Sequence, residues 1–133
     1  MEFFKGIDKV RFEGTDSKNP FSFRFYNPDE IIGGKTMREQ LRFAMSYWHT
    51  MCAEGSDMFG VGTSDKSFGT KDPMEQARNK AFAAFELMDK LDIDFYCFHD
   101  RDIAPEGENL CESNTRLDEI CPLLKDLMKE SNK

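Results

Sequence analysis

Phe95-Tyr96-Cys97-Phe98-His99-Asp100-Arg101-Asp102-Ile103-Ala104-Pro105-Glu106-Gly107 is an apolar run that ends abruptly in one histidine and two aspartates. Residues 93–98 are mostly aromatic or β-branched and read as a buried strand, which the polar residues, Pro105 and Gly107 force out of the sheet. His99 then stands at a strand's carboxyl end, where the loops of α/β sheets and barrels carry their ligands and catalytic groups. Asp102 follows three residues later, close enough to fold back and accept a hydrogen bond from one imidazole nitrogen. Such a bond fixes the tautomer and leaves the other nitrogen free as acid or base. On residue pattern alone, a strand-end turn with solvated charges is the favoured description of the same segment.

On the amino-terminal side of this strand, Asp72-Pro73 supplies an N-cap acceptor and a proline at the first helical position. Met74, Ala77, Ala81, Phe85 and Met88 recur at helical spacing, with Glu75, Arg78, Lys80 and Asp89 at other positions, so the pattern predicts a helix from Pro73 to about Leu91. Residues 41–48 form a second apolar run ending in Trp48-His49 and are read as another strand. Between it and the helix lies an irregular loop, Thr50 to Lys71, with Gly55, Gly60, Gly62 and Gly69 and an exposed Met58-Phe59 tip. A loop of that length points to a binding role or to disorder. Beyond the 100–113 loop, Leu117, Ile120, Leu124, Leu127 and Met128 predict a further helix, kinked or restarted at Pro122. Residues 129–133 carry no core signal. Residues 1–36 read as an arm rich in turn formers. Its aromatics Phe3, Phe4, Phe12, Phe21, Phe23, Phe25 and Tyr26 require burial against the chain's own body or a partner subunit.

A chain of 133 residues is the size of one domain, and its 39% hydrophobic and 13% aromatic content argues against disorder. With 18 basic against 25 acidic residues the net charge is −7, which repels phosphate backbones and anionic lipid, so neither nucleic acid nor a membrane is expected as a partner. No apolar run approaches the ~18 residues of a spanning helix, and the amino terminus lacks the pattern of a signal peptide; a cytoplasmic enzyme or subunit is expected. Cys52, Cys97, Cys111 and Cys121 lack C-x-x-C spacing, which favours reduced thiols over zinc or a redox dithiol, with Cys97 acting as a small hydrophobe inside its strand. His49, Asp100, Asp102 and Glu106 do not make a recognisable metal-ligand set.

Strand, loop, helix, strand, helix is the beginning of a β/α alternation with right-handed crossovers. Two parallel strands leave edges and a face uncovered. The chain therefore reads as the opening of a larger β/α barrel or as a subunit completed by association.

Lys5-Gly6-Ile7-Asp8-Lys9, Phe12-Glu13-Gly14, Ser17-Lys18-Asn19-Pro20, Phe23-Arg24-Phe25-Tyr26-Asn27, Leu41-Arg42-Phe43-Ala44, Tyr47-Trp48-His49-Thr50, Asp57-Met58-Phe59-Gly60 and the segment from Cys97 to Gly107 occur in this order along nearly the whole chain. They resemble the amino-terminal part of bacterial-type xylose isomerase, in the longer form with an amino-terminal extension. The resemblance implies a fold in which residues 37–133 are the first two β/α units of a (β/α)8 TIM barrel, left incomplete here and preceded by an amino-terminal arm, residues 1–36. It implies an aldose–ketose isomerase that interconverts D-xylose and D-xylulose by ring opening and a hydride shift. It also implies two divalent metal ions (magnesium, manganese or cobalt) and a homotetramer in the full-length protein. By that resemblance His99 assists ring opening, Asp102 orients it, Trp48 lies at the sugar site, and Phe59 reaches into a neighbouring subunit's site. No metal ligand falls within this chain, and the chain alone is expected to be inactive. The alternatives are a truncated, non-catalytic interaction module and a related metal-dependent sugar isomerase or epimerase. Ser64 to Phe68 lacks the Arg-Pro-Trp frequent in that family, and Asp92 and Asp94 stand where a glycine and a proline are common.

Overall fold

The computed structural model describes residues 2–133; Met1, the first residue of the expected arm, lies outside them. In order, the elements are β1 (Arg11–Phe12), β2 (Ser22–Phe23), β3 (Ile31–Ile32), β4 (Lys35–Thr36), α1 (Met37–Gln40), β5 (Ala44–Ser46), a π-helical turn (Trp48–Cys52), α2 (Pro73–Leu91), β6 (Phe95–Cys97), α3 (Asp100–Ile103) and α4 (Leu110–Ser131). The strands form three two-stranded sheets: β1 and β2 parallel, β3 and β4 an antiparallel hairpin, and β5 and β6 parallel. The described residues form no closed barrel.

The centre of the molecule is α2. Asp72 caps it by accepting from the Glu75 N–H, and Pro73 occupies its first turn, as its sequence dictates. Ala77, Ala81, Ala84, Phe85 and Met88 are buried on its inner face. Alanines keep that face flat, so the β5–β6 pair and α4 approach it closely. Met45 pairs with Tyr96 in the parallel ladder, and Tyr96 meets Phe85 edge to face at 5.4 Å. From α4, Ile120 and Leu124 complete the core, with Ile103 and Ala104 entering from α3 and its exit.

Both strands of the β5–β6 pair are shorter than the apolar runs predict, and β6 is not buried. Phe95 and Cys97 on its outer face are exposed, so Cys97 does not act as a buried hydrophobe. The physical reason is the two-stranded sheet itself: α2 covers one face, and nothing described covers the other. The run at 41–48 divides because Tyr47 already has helical backbone angles, leaving Ala44–Ser46 extended and Trp48–Cys52 wound.

α4 also departs from expectation. It begins at Leu110 on an Asn109 cap, occupies the end of the expected loop, and runs unbroken through Pro122 to Ser131. Pro122 and Asp118 are both exposed, so the Asp118 carbonyl deprived of its helical donor is open to solvent and the helix continues. The end of the supposed tail is fastened as well, since Lys133 Nζ lies 3.6 Å from Asp94.

The arm is pinned to α2 mainly through polar contacts. The Glu86 carboxylate accepts from the Phe3 and Phe4 N–H groups at 2.7 and 3.0 Å, and one turn later Lys90 donates to the Ile7 carbonyl while its own carbonyl accepts from Val10. The aromatics divide. Phe3 and Phe4 pack on the core, and Phe23, Tyr26 and Phe43 form an edge-to-face chain, whereas Phe21 and Phe25 remain exposed. Asp92, just past α2, adopts the left-handed conformation (φ 59°) that favours glycine and binds both Lys9 and Arg38, joining arm, α1 and α2.

Candidate functional site

The parallel register of β5 and β6 sets the site. Ser46 lies opposite Cys97, so Trp48 and His99, each two residues further on, emerge side by side from the carboxyl ends of the strands. Their rings lie 4.7 Å apart, tilted by 46°. Trp48 opens the π-helical turn, closed by the Ala53 N–H donating to the Trp48 carbonyl at 2.8 Å; the extra residue in that turn aims the indole at His99. His49 lies behind it, 5.7 Å from the indole and outside the His99 contact.

His99 and Asp102 come together as the three-residue spacing predicts. Asp102 Oδ2 accepts from the His99 backbone N–H at 2.7 Å and lies 3.0 Å from His99 Nδ1, while the Asp102 N–H donates to the His99 carbonyl at 3.0 Å. A carboxylate only accepts, so Nδ1 carries the proton and Nε2 presents its lone pair outward. The imidazole is 67% exposed and the Asp102 side chain 14%: the carboxylate is sheltered and the ring open.

Phe59 is not part of this cluster. It sits on a tight turn closed by the Asp57–Gly60 bridge, is 89% exposed, and has no aromatic neighbour among the described residues. Asp100 and Glu106 are engaged locally: Asp100 accepts from the Arg101 N–H, and Glu106 pairs with the Arg101 guanidinium. The loop after α3 is held to α4 by Arg116 on the Glu106 carbonyl and by Ser113 on the Gly107 N–H. Gly107 admits no side chain, since a Cβ would lie 2.7 Å from that of Glu112. A cleft of about 270 Å3 opens beside this loop, but His99, Asp102, Trp48 and Phe59 do not line it. Among the described residues no three His, Cys, Asp or Glu side chains converge as metal ligands. The metals implied by the resemblance have no seat in these residues.

Beneath the site lies a group that the sequence reading sets only off the apolar stripe of α2. Lys80 Nζ lies 3.3 Å from the Asp102 carbonyl oxygen and 3.5 Å from Cys52 Sγ, and the Cys52 thiol donates weakly to the same carbonyl at 3.5 Å. Burial pushes the Cys52 thiol up in pKa against the pull of Lys80, which keeps it a donor. Lys80 stands three residues after Ala77 and four before Ala84, a spacing that places it beside the buried stripe. Next to this group Tyr47 is fully buried, and its hydroxyl has no hydrogen-bond partner among the described residues. Burial raises the phenol far above its ordinary value, helped by Cys52, Tyr96 and Asp102.

A histidine–carboxylate pair and an indole thus stand together at the ends of parallel strands joined through a helix, the arrangement of an α/β protein segment. No protein-family profile matches the chain. Individual proteins do: the xylose isomerase of Caldicellulosiruptor bescii is 54% identical and that of Thermoanaerobacter sp. (strain X514) 52% identical, each over 132 residues covering 98% of this chain. The xylose isomerase of Bacillus cereus (strain ATCC 10987 / NRS 248) is 50% identical over 132 residues. The chain is a homologue of xylose isomerase along 98% of its length, and it spans about 30% of the length of these relatives. No helix is long and apolar enough to cross a membrane among the described residues.

Proposed function

We propose that this chain carries the sugar-ring-opening site of an aldose–ketose isomerase that interconverts D-xylose and D-xylulose. The observation that carries the reading is the His99–Asp102 pair, with Nδ1 fixed at 3.0 Å from the carboxylate and the ring open to solvent beside Trp48. His99 Nε2 takes the proton of the anomeric hydroxyl; the bond from that carbon to the ring oxygen breaks as the carbonyl forms, and the proton passes to the ring oxygen. Asp102 stabilises the transient imidazolium and holds its orientation. Trp48 offers a flat apolar wall to the C–H face of the sugar and excludes water from that side.

On the same reading β5–α2 and β6–α4 are the first two units of a (β/α)8 barrel, residues 37–133, preceded by the arm of residues 1–36. Support comes from the parallel β5–β6 register and from the uncovered outer face bearing Phe95. The assembled protein is a cytoplasmic homotetramer, with Phe59 contributing to a neighbour's sugar site. The 89% exposure of Met58 and Phe59 suits such a contact. It equally favours a second reading, a non-catalytic interaction module that uses this loop tip.

A chimera separates the two. The matching region of the Caldicellulosiruptor bescii xylose isomerase is replaced by this chain, and turnover of cyclic and open-chain xylose is compared in single-turnover experiments. The isomerase reading expects an active chimera in which His99→Gln slows cyclic sugar by about 10²- to 10⁴-fold and open-chain sugar far less. Asp102→Asn acts in the same direction but more mildly. Equal losses on both substrates, or a folded chimera without activity, refute the reading, and the inactive chimera favours the interaction module.

A further inference from the structure

We propose that Lys80 is a positioning residue for the His99–Asp102 pair, holding the Asp102 backbone so that its carboxylate meets His99 Nδ1. This rests on reading that pair as the acid–base group of the site. Three elements supply the site, and each is short or irregular: the π-helical turn carries Trp48, the end of β6 carries His99, and α3 carries Asp102. A single turn of helix such as α3 has too few internal hydrogen bonds to hold its own orientation. α2, by contrast, is a nineteen-residue helix and the rigid body of the molecule. From it the half-buried Lys80 reaches the Asp102 carbonyl at 3.3 Å and Cys52 of the π-helical turn at 3.5 Å. One ammonium group thus connects the long helix to both short pieces of the site.

The contact is made to the backbone of the same residue whose side chain orients the imidazole. Without Lys80 only the weak Cys52 thiol bond remains on the Asp102 carbonyl, and Oδ2 must keep its 2.7 and 3.0 Å contacts to His99 with that weaker support from below. Lys66 provides an internal comparison. It is also half-buried and donates to the Thr50 carbonyl of the π-helical turn at 3.0 Å, but it makes no hydrogen bond to α3. A merely structural lysine in this neighbourhood behaves as Lys66 does.

The test reads the imidazole rather than turnover. In the 133-residue chain labelled with 15N, His99 shows a protonated Nδ1 and an unprotonated Nε2, with well-separated nitrogen shifts. In Lys80→Met the two shifts move towards each other as the Nε2–H tautomer mixes in, and Lys80→Arg restores the separation. Lys66→Met lowers the melting temperature and leaves the His99 shifts in place. Unchanged His99 shifts in Lys80→Met, or an equal movement in Lys66→Met, overturn the proposal. Should Lys80→Met fail to fold, the wild-type chain decides: the Lys80 ammonium signal is resolved and protected from solvent exchange, and a rapidly exchanging ammonium refutes the contact. A wild-type His99 with mixed tautomers overturns the acid–base pair itself. A fixed tautomer that ignores Lys80 overturns only the positioning role.

Discussion

Asp92→Asn tests whether charge, rather than backbone shape, is what Asp92 contributes where arm, α1 and α2 meet. Asparagine tolerates the left-handed conformation at φ 59° nearly as well as aspartate and has the same size, so the variant removes the charge and little else. Hydrogen bonding to the Arg38 guanidinium, opposed by partial burial and reinforced by Lys9 at 3.1 Å, holds the Asp92 carboxyl at about 2, against an ordinary 3.8. At 1.36 kcal/mol per pKa unit this corresponds to an upper bound of about 2.5 kcal/mol. The Lys9 and Arg38 side chains are 41% and 36% exposed, so solvent screening reduces the expected contribution to about 1 kcal/mol. Because the folded value is depressed, the contribution is fully present above pH ~4 and disappears as the pH falls through about 2. Urea melts of wild type and Asp92→Asn at pH 7 should differ by about 1 kcal/mol, or roughly 3–4 °C in thermal melts, with the gap narrowing in high salt and closing near pH 2. A difference at pH 2 as large as that at pH 7 refutes the electrostatic argument, and so does the absence of any difference at pH 7.

Glu86→Gln leaves one of the Phe3 and Phe4 N–H groups facing a second donor, so stability should fall by about 1–2 kcal/mol in urea melts and cleavage within residues 2–7 should quicken under limited proteolysis. Burial alone raises the Glu86 carboxyl, but the two N–H groups and Lys90 outweigh it and hold it below its usual range. Its contribution is therefore present above pH ~4.5 and lost as the pH falls through the lowered value. Tyr47→Phe removes a buried hydroxyl without a partner and should leave stability unchanged or higher by up to about 1 kcal/mol; a loss of more than that in thermal melts would show that the hydroxyl is bonded.

The parts legible in the sequence are those fixed by local chemistry. Asp72-Pro73 and the apolar stripe place α2 from Pro73 to about Leu91, where the structure has it, and the spacing of His99 and Asp102 places their side chains in contact. What escaped depends on partners distant in sequence. Burial of Phe95 and Cys97 is a property of whatever lies on the outer face of the sheet, and hydropathy alone does not report it. The winding of Trp48–Cys52 starts at the last residue of an apolar run whose alternation suits a strand and continues into the expected loop, where no apolar period marks it. Pro122 misleads because the penalty of an interior proline depends on whether the freed carbonyl meets water, as that of Asp118 does. Asp92 stands where glycine is common in the resembled family, and φ 59° supplies the reason: the backbone there is left-handed, and the aspartate adds two ion pairs. Lys80 reads only as lying off the apolar stripe, because helical spacing does not report where a long side chain ends. A long stem lets a lysine lie along buried surface while its ammonium finds backbone oxygen.

The π-helical turn makes the site sensitive to chain length in a way that substitution does not probe. Its hydrogen bond spans five residues where an α-helical turn would span four. Deleting one residue between Trp48 and Cys52 would let the segment relax to α geometry, in which the same two ends close a four-residue turn and the indole keeps roughly its direction relative to Cys52. Inserting one residue has no such outlet: Cys52 is held from below by Lys80 and Asp102, so the added rotation, about 100° per helical residue, would fall on Trp48 and carry it away from His99. Sequence drift within this turn is compatible with the site as long as no residue is added. A single-codon insertion there would separate the indole from the His99–Asp102 pair while leaving every site residue present in the chain.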